Sequence, residues 1–437
     1  MVGGAVRDLL LGSPEVKDVD IEAFGISAEA LKKALSERFG FDECGMSFGV
    51  LKLKHADIDV SLPRRESKIA EGHRGFLIGS DPSMSVAEAA LRRDFTVNAM
   101  YYDPLAKVFE DPYGGMADLE RKTLRHVSGR FAEDPLRVLR GMQFVARFDL
   151  TPAPETVEIC RRVTIENLPK ERLFEEWAKF LLKGKSMSKG LAFLRDTGWV
   201  RYFPELEALI GCEQDPQWHP EGDVWNHTSL CLDSFARNRT GEKEEDLIVG
   251  FAVLCHDFGK PATTRWDPVK KRLRSLGHDN AGTGPTLSFL RRFTNEERIL
   301  NSVPPLVQYH MQPYAMWRGD TGDAAVRRLA LRVGRIDRLL RVCRADDEGR
   351  LPERLGGSSG GEDLKWLAAQ AERLRIAAEK PKPILQGRDL IARGFKPGAR
   401  FGKWLAAAFE AQLDGAFSDL PGAFEYFETE ILKEEKR

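Results

Sequence analysis

The chain has 437 residues, which is more than one hydrophobic core usually serves, so its length predicts about two to four domains. Hydrophobic residues make up 42% of the chain and charged residues 30%, so there is enough apolar surface for packed cores, and wholesale disorder is excluded. The formal net charge is −1 at pH 7, so binding of nucleic acid would have to come from a local basic patch.

The sequence also predicts the compartment in which the protein works. No apolar run reaches the roughly 18 residues that a membrane helix needs, and the first residues lack the apolar region of a signal peptide. The six cysteines are scattered without a Cys-x-x-Cys pair, which excludes a disulfide scaffold or a cysteine zinc finger and is typical of a reducing environment. We therefore expect a cytoplasmic protein that does not contact a membrane.

The first 112 residues predict a small unit that mixes strands and helices. Short β-type runs lie around Asp20, at 48–54 and at 57–62, and glycine-containing turns separate them. Between the first two runs, Ser27–Phe39 has the spacing of an amphipathic helix with a serine cap.

Helical spacing dominates from about residue 113 onward, and strand signals become rare. Helices are predicted at 133–148, 154–166 and 170–182, and a further one at 324–344, where apolar side chains recur three and four residues apart. Five of the eight histidines fall between Trp218 and Tyr314, which indicates a separate module.

A glycine- and serine-rich stretch at 355–363 predicts a flexible linker before the last part of the chain. Together these changes in composition predict four regions, at 1–112, 113–210, 211–345 and 364–437.

Paired carboxylates near the amino terminus give the first chemical signal. Asp18 and Asp20 are two residues apart on a predicted strand, so both side chains should face the same side. Two like charges held this close are costly unless a cation lies between them, and oxygen ligands of this kind suit Mg²⁺. A third carboxylate could come from Asp57 or Asp59, and Asp59 is preferred because apolar residues flank it. An isolated Asp-x-Asp is more often a solvated turn.

Four motifs in a fixed order give these carboxylates a context. They lie at 3–12 with Asp18-x-Asp20, at 91–100, at 133–137 and at 171–176. In this order they resemble the nucleotidyltransferase superfamily with a polymerase-β-like head. The resemblance is to its class II branch, which contains the CCA-adding tRNA nucleotidyltransferases and the bacterial poly(A) polymerases. Only two apolar residues precede the first motif, where the family has a strand. Either that strand lies upstream of the given sequence or the head lacks it.

The resemblance implies two-metal transfer of nucleotides from CTP and ATP to the 3′ end of tRNA. It makes Asp18, Asp20 and Asp59 the catalytic carboxylates, with Asp18 and Asp20 as ligands of Mg²⁺. It assigns nucleotide binding to Gly3, Gly4, Arg7, Arg93, Asp94, Asn98, Asp134, Arg137 and Arg140.

Two of these assignments have plainer alternatives. Asp134 and Arg137 are three residues apart, a spacing that predicts one shared helical face, and the family uses this edge to pair with the incoming base. Arg137 could instead form a helix-surface salt bridge with Glu133. Likewise, Arg93 and Asp94 could be a surface ion pair of little energetic value.

A basic strip could receive the RNA. Residues 121–185 contain 14 Lys or Arg against 9 Asp or Glu, an excess of +5 in a chain of net charge −1. A solvated helix face is the alternative. Arginines between 327 and 344 are a second candidate for this role.

A second constellation follows in the histidine-rich part of the chain. His227, the adjacent pair His256 and Asp257, and His278 stand in the order of the HD phosphohydrolase superfamily, which they resemble. The resemblance implies a divalent-metal site, which Ni²⁺, Mn²⁺ or Fe could occupy. His310 is a possible further ligand, and His219 lies near substrate or is structural. A phosphohydrolase or phosphodiesterase activity is implied, and inert packing is the alternative.

The fold class implied is α+β, with a mixed-sheet polymerase-β-like head followed by an all-helical neck, HD domain and tail. The leading functional hypothesis is a tRNA CCA-adding enzyme. Its rivals are a poly(A) polymerase of the same branch, an HD phosphohydrolase with a nucleotide-binding head, and a non-catalytic RNA-binding protein. Addition of CC only or A only stays open, because the segment 66–90 that should govern specificity matches no motif. The sequence does not indicate an oligomeric state.

Overall fold

The computed structural model describes residues 1–13, 18–44, 50–68, 76–166, 168–319, 321–350 and 361–434. The chain divides into two compact units. The first unit comprises residues 1–207 with 292–294, and the second comprises 208–291 with 295–437. The division after residue 207 lies close to the predicted boundary at 210, and the other predicted boundaries stay predictions. Residues 351–360, most of the predicted linker, and residues 69–75, part of the predicted specificity segment, lie outside the described residues.

A four-stranded sheet forms the centre of the head, and its strand order is β1-β4-β3-β2. Its strands are β1 (Val19–Glu22), β2 (Phe41–Cys44), β3 (Val50–Leu53) and β4 (Ile58–Ser61). β1 pairs with β4 in parallel, and the other pairs are antiparallel. Alternate residues of the strands, including Leu51 and Val60, pack with Leu31 of a covering helix in one hydrophobic cluster. The opposite face of the sheet is therefore left for polar side chains.

Short strand pairs flank this sheet in the first unit. They are β5 (Arg64–Lys68) with β6 (Phe76–Ser80), β7 (Tyr101–Asp103) with β8 (Val108–Glu110), and β9 (Thr123–Leu124) with β10 (Thr151–Pro152). Val2 forms isolated bridges to Asp20 of β1 and to Tyr101 of β7. The residue before the glycine pair therefore joins these two strands, at the place where the family resemblance implied a strand.

The first unit also contains a series of helices, one of which packs on the head sheet through Leu31. They are α1 (Gly4–Leu10), α2 (Ala28–Ser36), α3 (Val86–Ala90), α4 (Gly115–Glu120), α5 (Leu136–Phe148), α6 (Pro154–Arg162), α7 (Lys170–Lys183), α8 (Met187–Asp196) and α9 (Pro204–Glu207). The predicted serine cap is confirmed, because the Ser27 side chain accepts the Ala30 N–H. The helix expected from residue 133 begins only at Leu136.

The second unit is mainly helical. Its helices are α10 (Val224–Arg237), α11 (Lys243–Cys255), α12 (Lys260–Thr263), α13 (His278–Ala281), α14 (Thr283–Arg291), α15 (Glu297–Tyr309), α16 (Gln312–Arg318), α17 (Asp323–Val333), α18 (Ile336–Gly349), α19 (Glu362–Arg373), α20 (Gly387–Ala392), α21 (Ala399–Asp414), α22 (Leu420–Tyr426) and α23 (Leu432–Glu434). A hairpin of β11 (Thr264–Asp267) and β12 (Arg272–Ser275) interrupts them.

The prediction of a single helix at 324–344 is wrong. Two helices, α17 and α18, occupy this stretch, and Gly334 lies between them with a φ of 78°. A glycine in this left-handed region ends the first helix at little cost, because it has no Cβ to clash with the backbone.

The α+β class with a mixed-sheet head and a helical body is confirmed. The body is not wholly helical, since β9 pairs with β10 and β11 pairs with β12 within it. Among the described helices, none combines the length and apolar character needed to cross a bilayer.

Candidate active site of the head and metal centre of the second unit

Two of the predicted catalytic carboxylates are direct neighbours in the head sheet. Asp20 of β1 lies opposite Asp59 of β4 in the parallel register, so the two side chains project from the same face. The Oδ1 atom of Asp59 is buried and has no hydrogen-bond partner within the described part of the chain. A buried carboxylate oxygen without a donor calls for a cation. Asp20 and Asp59 therefore fit a divalent metal that takes its other ligands from phosphate oxygens and water, as Mg²⁺ does.

Asp18 is placed differently from the prediction, and it does not form a metal-donor cluster with Asp20 and Asp59 in the part of the chain that the structure describes. It precedes β1 rather than lying on it, and its φ is 53°, in the left-handed region that aspartate tolerates. Its backbone N–H donates to the Oδ2 atom of Asp57 over 3.0 Å. The prediction that Asp18 and Asp20 share one strand is therefore wrong, and Asp57 holds the turn that brings Asp18 to the sheet.

Burial and the neighbouring charges shift the pKa of Asp20. Loss of hydration raises the pKa of this carboxyl above its ordinary value, the carboxylates of Asp59 and Asp18 add to the effect, and Arg93 opposes it. Arg93 therefore compensates these negative charges only in part, since the pKa of Asp20 stays above its ordinary value. Binding of a metal ion would lower the electrostatic energy of these carboxylates.

Glu22, which the sequence analysis did not assign, lies next along β1 and is buried. Its carboxylate accepts hydrogen bonds from the Arg92 guanidinium and, over 2.8 Å, from the Tyr101 hydroxyl. Burial raises the pKa of Tyr101 to about 12, so the hydroxyl keeps its proton at neutral pH. An Nη2 atom of Arg93 is 3.8 Å from Glu22. Glu22 thus holds Arg92 and Arg93 beside the predicted catalytic carboxylates.

Gly3 lies directly against this charged group. Its φ is 74°, and a Cβ placed on it would lie 3.0 Å from Nη1 of Arg93 and 3.7 Å from Oδ2 of Asp20. The absence of a side chain therefore leaves the arginine and the carboxylate open to a ligand. Gly4 follows as the first residue of α1.

We expect Gly3→Ala to raise the KM for CTP and to lower the free energy of unfolding by about 1–3 kcal/mol, because the φ of 74° and ψ of −133° at Gly3 form a backbone conformation that residues with a Cβ rarely adopt. Gly12→Ala is the matched control, because Gly12 has a φ of 73° but nothing within 4 Å of an added Cβ. Steady-state kinetics and urea unfolding of both variants separate the two effects. Equal changes in KM would show that the contact with Arg93 does not matter.

Four of the predicted nucleotide-binding residues are joined by a chain of hydrogen bonds: Arg7, Asp94, Asn98 and Arg140. The Arg7 guanidinium donates to Asn98, whose amide donates to Oδ1 of Asp94 over 3.1 Å. The Arg140 Nε–H donates to Oδ2 of Asp94 over 2.7 Å. Burial disfavours the charge on Asp94, but Arg140 and Asn98 outweigh it and hold the pKa of Asp94 below its ordinary value. The Arg7 guanidinium also lies 4.3 Å from the ring of Phe148. This chain links α1, the segment after α3, and α5.

The predicted base-pairing edge differs from expectation. Asp134 is not on the helix but precedes it in extended conformation, with φ −123° and ψ 105°. Its carboxylate accepts from Arg172 over 2.8 Å, whereas the Arg137 guanidinium donates to the backbone carbonyls of Arg130 and Arg92. The prediction that Asp134 and Arg137 share a helical face is therefore wrong. Arg172, which belongs to the fourth motif at 171–176, is the residue that the structure brings to this edge.

The second predicted site, in the second unit, contains a dense group of metal-ligand side chains. Nε2 of His256 lies 3.4 Å from Nε2 of His227 and 3.3 Å from Oδ2 of Asp257, and Nε2 of His278 lies 3.5 Å from Oδ1 of Asp257. The structure therefore brings all four predicted ligands together. His310 joins them, with its Nε2 atom 3.2 Å from that of His278.

Three of these imidazoles are oriented by the backbone. The Nδ1 atoms of His256, His278 and His310 lie 2.6–2.7 Å from the carbonyl oxygens of Val253, Ser275 and Val307. With Nδ1 occupied as a donor, each Nε2 lone pair is free to bind a metal. Burial also lowers the pKa of His310 to about 4, so this imidazole is neutral, as a ligand must be. The donor set fits a transition metal.

Two residues of this centre were missed by the sequence analysis. Oδ1 of Asp346, on α18, lies 3.0 Å from Nε2 of His227, and Asp346 is one residue beyond the predicted end of the domain at 345. Glu221 holds Nδ1 of both His219 and His227 at 2.8 Å, which is the carboxylate–histidine arrangement found behind metal ligands. His219 is therefore held beside the centre.

Among the described residues, groups of three or more His, Cys, Asp or Glu side chains close enough to hold one ion all lie in this unit. In three groups, donor atoms lie within 4.8 Å of one another: His227, Cys231, His256 and Asp346; His219, Glu221 and His227; and Asp257, His278 and His310. Five members of these groups line a cavity of about 460 Å³: His219, Asp257, His278, His310 and Asp346. Lys260 and Arg350 line it too, so the cavity offers cationic donors beside the carboxylates and imidazoles. A guanidinium or an ammonium beside a metal ion can bind an oxyanion such as a phosphate ester.

The arginines between 327 and 344 are largely engaged within the second unit. Arg335 and Arg338 pair with Glu245, Arg328 pairs with Asp414, and Arg344 pairs with Glu348. Their charges are therefore partly neutralised within the unit.

Comparisons with known proteins agree with this geometry. Residues 1–125 match the family model of the poly A polymerase head domain, and residues 149–210 match that of the probable RNA and SrmB-binding site of polymerase A. Solved structures share the fold. A Bacillus stearothermophilus CCA-adding enzyme in complex with CTP aligns with a TM-score of 0.64 at 22% identity, over 100% of this chain and 93% of that one. A Thermotoga maritima CCA-adding enzyme complexed with tRNA aligns with a TM-score of 0.58 at 19% identity, over 98% and 90%.

The head fold and its paired carboxylates define the protein as a nucleotidyltransferase. Relatives that extend over most of its length carry the assignment further. A multifunctional CCA protein of Xanthomonas campestris is 34% identical over 93% of this chain and 96% of its own length. One from Chromobacterium violaceum is 37% identical over 81% and 80%. The chain belongs to the family of multifunctional CCA proteins.

Proposed function

We infer that the protein adds CCA to the 3′ end of tRNA, taking nucleotides from CTP and ATP. The observation that carries this inference is the similarity to multifunctional CCA proteins over nearly the whole chain. The in-register pair Asp20 and Asp59 supports it, because the reaction needs carboxylates at the head of a nucleotide cleft.

We propose roles for the predicted site residues of the head. Asp20 and Asp59, with Asp18, hold Mg²⁺. When bound, the metal ions lower the pKa of the attacking 3′-hydroxyl and neutralise charge on the leaving oxygens. Arg93, open to the cleft beside Gly3, grips the triphosphate as a fork of donors.

The residues behind the cleft position these groups. Asn98, Asp94 and Arg140 fix Arg7 and the segment that carries Arg93. At the edge of α5, Asp134 and Arg172 offer an acceptor and donors in one ion pair. We assign this pair, with Arg137, to recognition of the incoming base, since C and A differ in the donors and acceptors of their Watson–Crick edges.

The test is incubation of the protein with tRNAs that end before, within and after CCA, together with labelled CTP or ATP and Mg²⁺. Completion of the trinucleotide followed by arrest is expected. Long A-tracts would favour a poly(A) polymerase, which shares the head domain. No incorporation would contradict the inference. Arrest after CC, or addition of A alone, would define a partial enzyme.

We also propose that the second unit is a metal-dependent phosphohydrolase or phosphodiesterase. The observation that favours this is that two groups of donor side chains, one with His227, His256 and Asp346 and one with Asp257, His278 and His310, lie beside a cavity that Lys260 and Arg350 also line. Ni²⁺, Mn²⁺ or Fe suits the imidazole-rich set. Hydrolysis of p-nitrophenyl phosphate by the full chain should stop on chelation and return when one of these ions is added. Hydrolysis that survives complete removal of metal would contradict the proposal.

We expect Glu221→Ala to weaken metal binding at this centre about 10–100-fold, because the carboxylate fixes the orientation of His227. Glu348→Ala is the control. Glu348 accepts hydrogen bonds from three side chains, Ser234, Asn238 and Arg344, and none of its contacts among the described residues is with a histidine. Equilibrium dialysis of the apoprotein against Ni²⁺ measures the affinity directly. Unchanged affinity in Glu221→Ala would show that Glu221 has no orienting role.

A further inference from the structure

Arg92, which the sequence analysis left without a role, joins two parts of the first unit. Its guanidinium donates a hydrogen bond to the Glu22 carboxylate on β1, and its backbone carbonyl accepts one from Nη2 of Arg137 on α5 over 2.6 Å. β1 also carries Asp20, two residues before Glu22. One residue therefore connects the strand of a proposed metal ligand to the helix of an arginine assigned to base recognition.

The ion pair of Arg92 with Glu22 is shielded from water. The Glu22 side chain is 1% exposed and the Arg92 side chain 15%. The second carboxylate oxygen of Glu22 accepts the Tyr101 hydroxyl over 2.8 Å, so both oxygens are held. Breaking a buried ion pair is strongly unfavourable, because it leaves a charge without a partner. The Arg92 side chain is therefore fixed to β1.

The orientation of Arg137 depends on the backbone carbonyl of Arg92. Nη1 of Arg137 donates to the Arg130 carbonyl over 2.7 Å, and Nη2 donates to the Arg92 carbonyl. A guanidinium is planar and its donors point in fixed directions, so two hydrogen bonds from different nitrogens fix its plane. A shift of the Arg92 carbonyl would therefore turn the remaining N–H donors of Arg137, which are those available to a base.

We propose that Glu22 and Arg92 are positioning residues that couple base selection to the metal and triphosphate site. The proposal rests on the proposed nucleotidyltransferase function and on the role of Arg137 in it. Glu22 anchors Arg92 to β1, and the Arg92 carbonyl holds Arg137, so the edge that reads the base is fixed relative to Asp20. The fit of the base and the placement of the reacting phosphate are then selected together, which turns differences in binding into differences in rate.

A comparison of two pyrimidine nucleotides separates this role from a purely structural one. Cytosine and uracil differ in the donors and acceptors of their base edges, whereas CTP and UTP have the same triphosphate. The ratio of kcat/KM for CTP to kcat/KM for UTP therefore measures base selection. The KM values alone also respond to Arg93, whose Nη2 atom lies 3.8 Å from Glu22. An ion pair that only stabilised the fold would leave the ratio unchanged.

The experiment measures this ratio for the full chain with Mg²⁺ and a tRNA that ends before CCA. Glu22→Gln keeps the size of the side chain but removes the charge that holds Arg92. It should lower the ratio about tenfold, which is part of the discrimination that one well-placed side chain provides. Tyr101→Phe is the matched control, because it removes the other hydrogen bond to Glu22 and keeps the ion pair. It should leave the ratio unchanged.

Two further variants test the route through Arg137. Glu22→Gln combined with Arg92→Met leaves neither charge of this ion pair buried without its partner, so it should fold even if the single variant does not, and it should lower the ratio to the same extent. In an Arg137→Ala background, Glu22→Gln should have no further effect on the ratio, because both changes act through the same guanidinium.

An unchanged ratio in the variants that lack the Glu22 charge, an equal fall in Tyr101→Phe, or a full further fall in the Arg137→Ala background would overturn the proposal. If the unmodified protein adds no nucleotide to tRNA, the proposed function fails, and equilibrium dialysis of the full chain with labelled CTP and UTP decides the inference. A ratio of the two affinities that falls in Glu22→Gln but not in Tyr101→Phe would support it. Ratios that do not change would overturn it.

Discussion

Asp20→Asn is expected to lower the rate of nucleotide incorporation about 1000-fold or more while leaving the protein folded. Asp20 and Asp59 are adjacent across β1 and β4, and metal ligation by this pair provides several kcal/mol of transition-state stabilisation. Asparagine keeps the size of the side chain but loses the charge that binds the cation. Incorporation of labelled CMP into tRNA, measured at saturating Mg²⁺, gives the rate.

The direction of the stability change distinguishes this result from unfolding. The pKa of Asp20 is raised in the folded protein, so above its ordinary pKa the ionised side chain opposes folding. At neutral pH, Asp20→Asn should therefore unfold at the same temperature as the unmodified protein or higher. Asp42→Asn is the control on the same sheet, where Asp42 pairs with Lys54 on a solvent-exposed edge, and it should keep full activity. An active Asp20→Asn protein would rule out Asp20 as a metal ligand.

Asp94→Ala is expected to lower the stability of the first unit by about 3–5 kcal/mol, because it leaves the buried ends of a charged network without a partner. Arg140 and Asn98 both donate to Asp94, and the Asp94 carboxylate also accepts the Phe95 N–H. Hydrogen exchange of the α5 amides reports the first unit separately from the second. Exchange at the unmodified rate would show that the network contributes little.

Asp94→Asn gives the pH dependence of the same network. Since the pKa of Asp94 is lowered on folding, its contribution is present above the unfolded value of about 3.8 and is lost as the pH falls through the lower folded value. The unmodified protein should therefore lose stability in this acidic range, and Asp94→Asn, which has no group to titrate at this position, should lose less. Identical acid profiles would contradict the assignment.

The alternation of apolar and polar residues predicted the strands of the head. The pairing of Asp20 with Asp59 depends on how the strands are ordered in the sheet. Ile58 and Val60 flank Asp59, and this alternation put the preferred third carboxylate on the face where it pairs with Asp20. It could not show that Asp18 stands outside the strand, because that depends on a hydrogen bond to Asp57. Glu22 continues the alternation of Asp18 and Asp20, and this was a signal that could have identified it.

Asp134 shows how one residue type overrides spacing. The spacing of three between Asp134 and Arg137 predicted a shared face, but Pro135 follows Asp134. A residue before proline is disfavoured in the α region, so the helix begins at Leu136. The ion pair of Asp134 with Arg172 joins α7 to this turn, a contact between distant segments that no local pattern reveals.

The metal centre of the second unit was predicted from the order of its histidines, and this prediction missed two residues, Asp346 and Glu221. Asp346 follows Cys343 by three residues and Val342 by four, on the buried face of α18. A carboxylate on an otherwise apolar face is the signal of a buried ligand, and it could have identified Asp346. Glu221, by contrast, lies in a loop, where its contact with His227 depends on the fold.

The most direct measurement is an anomalous diffraction map of the full chain crystallised with CTP and Mn²⁺ in place of Mg²⁺. The account predicts a manganese peak within coordination distance of carboxylate oxygens of both Asp20 and Asp59, next to the triphosphate. A triphosphate bound in the head with the ion elsewhere, or with the two carboxylates turned away from it, would contradict the assignment of catalysis to this pair.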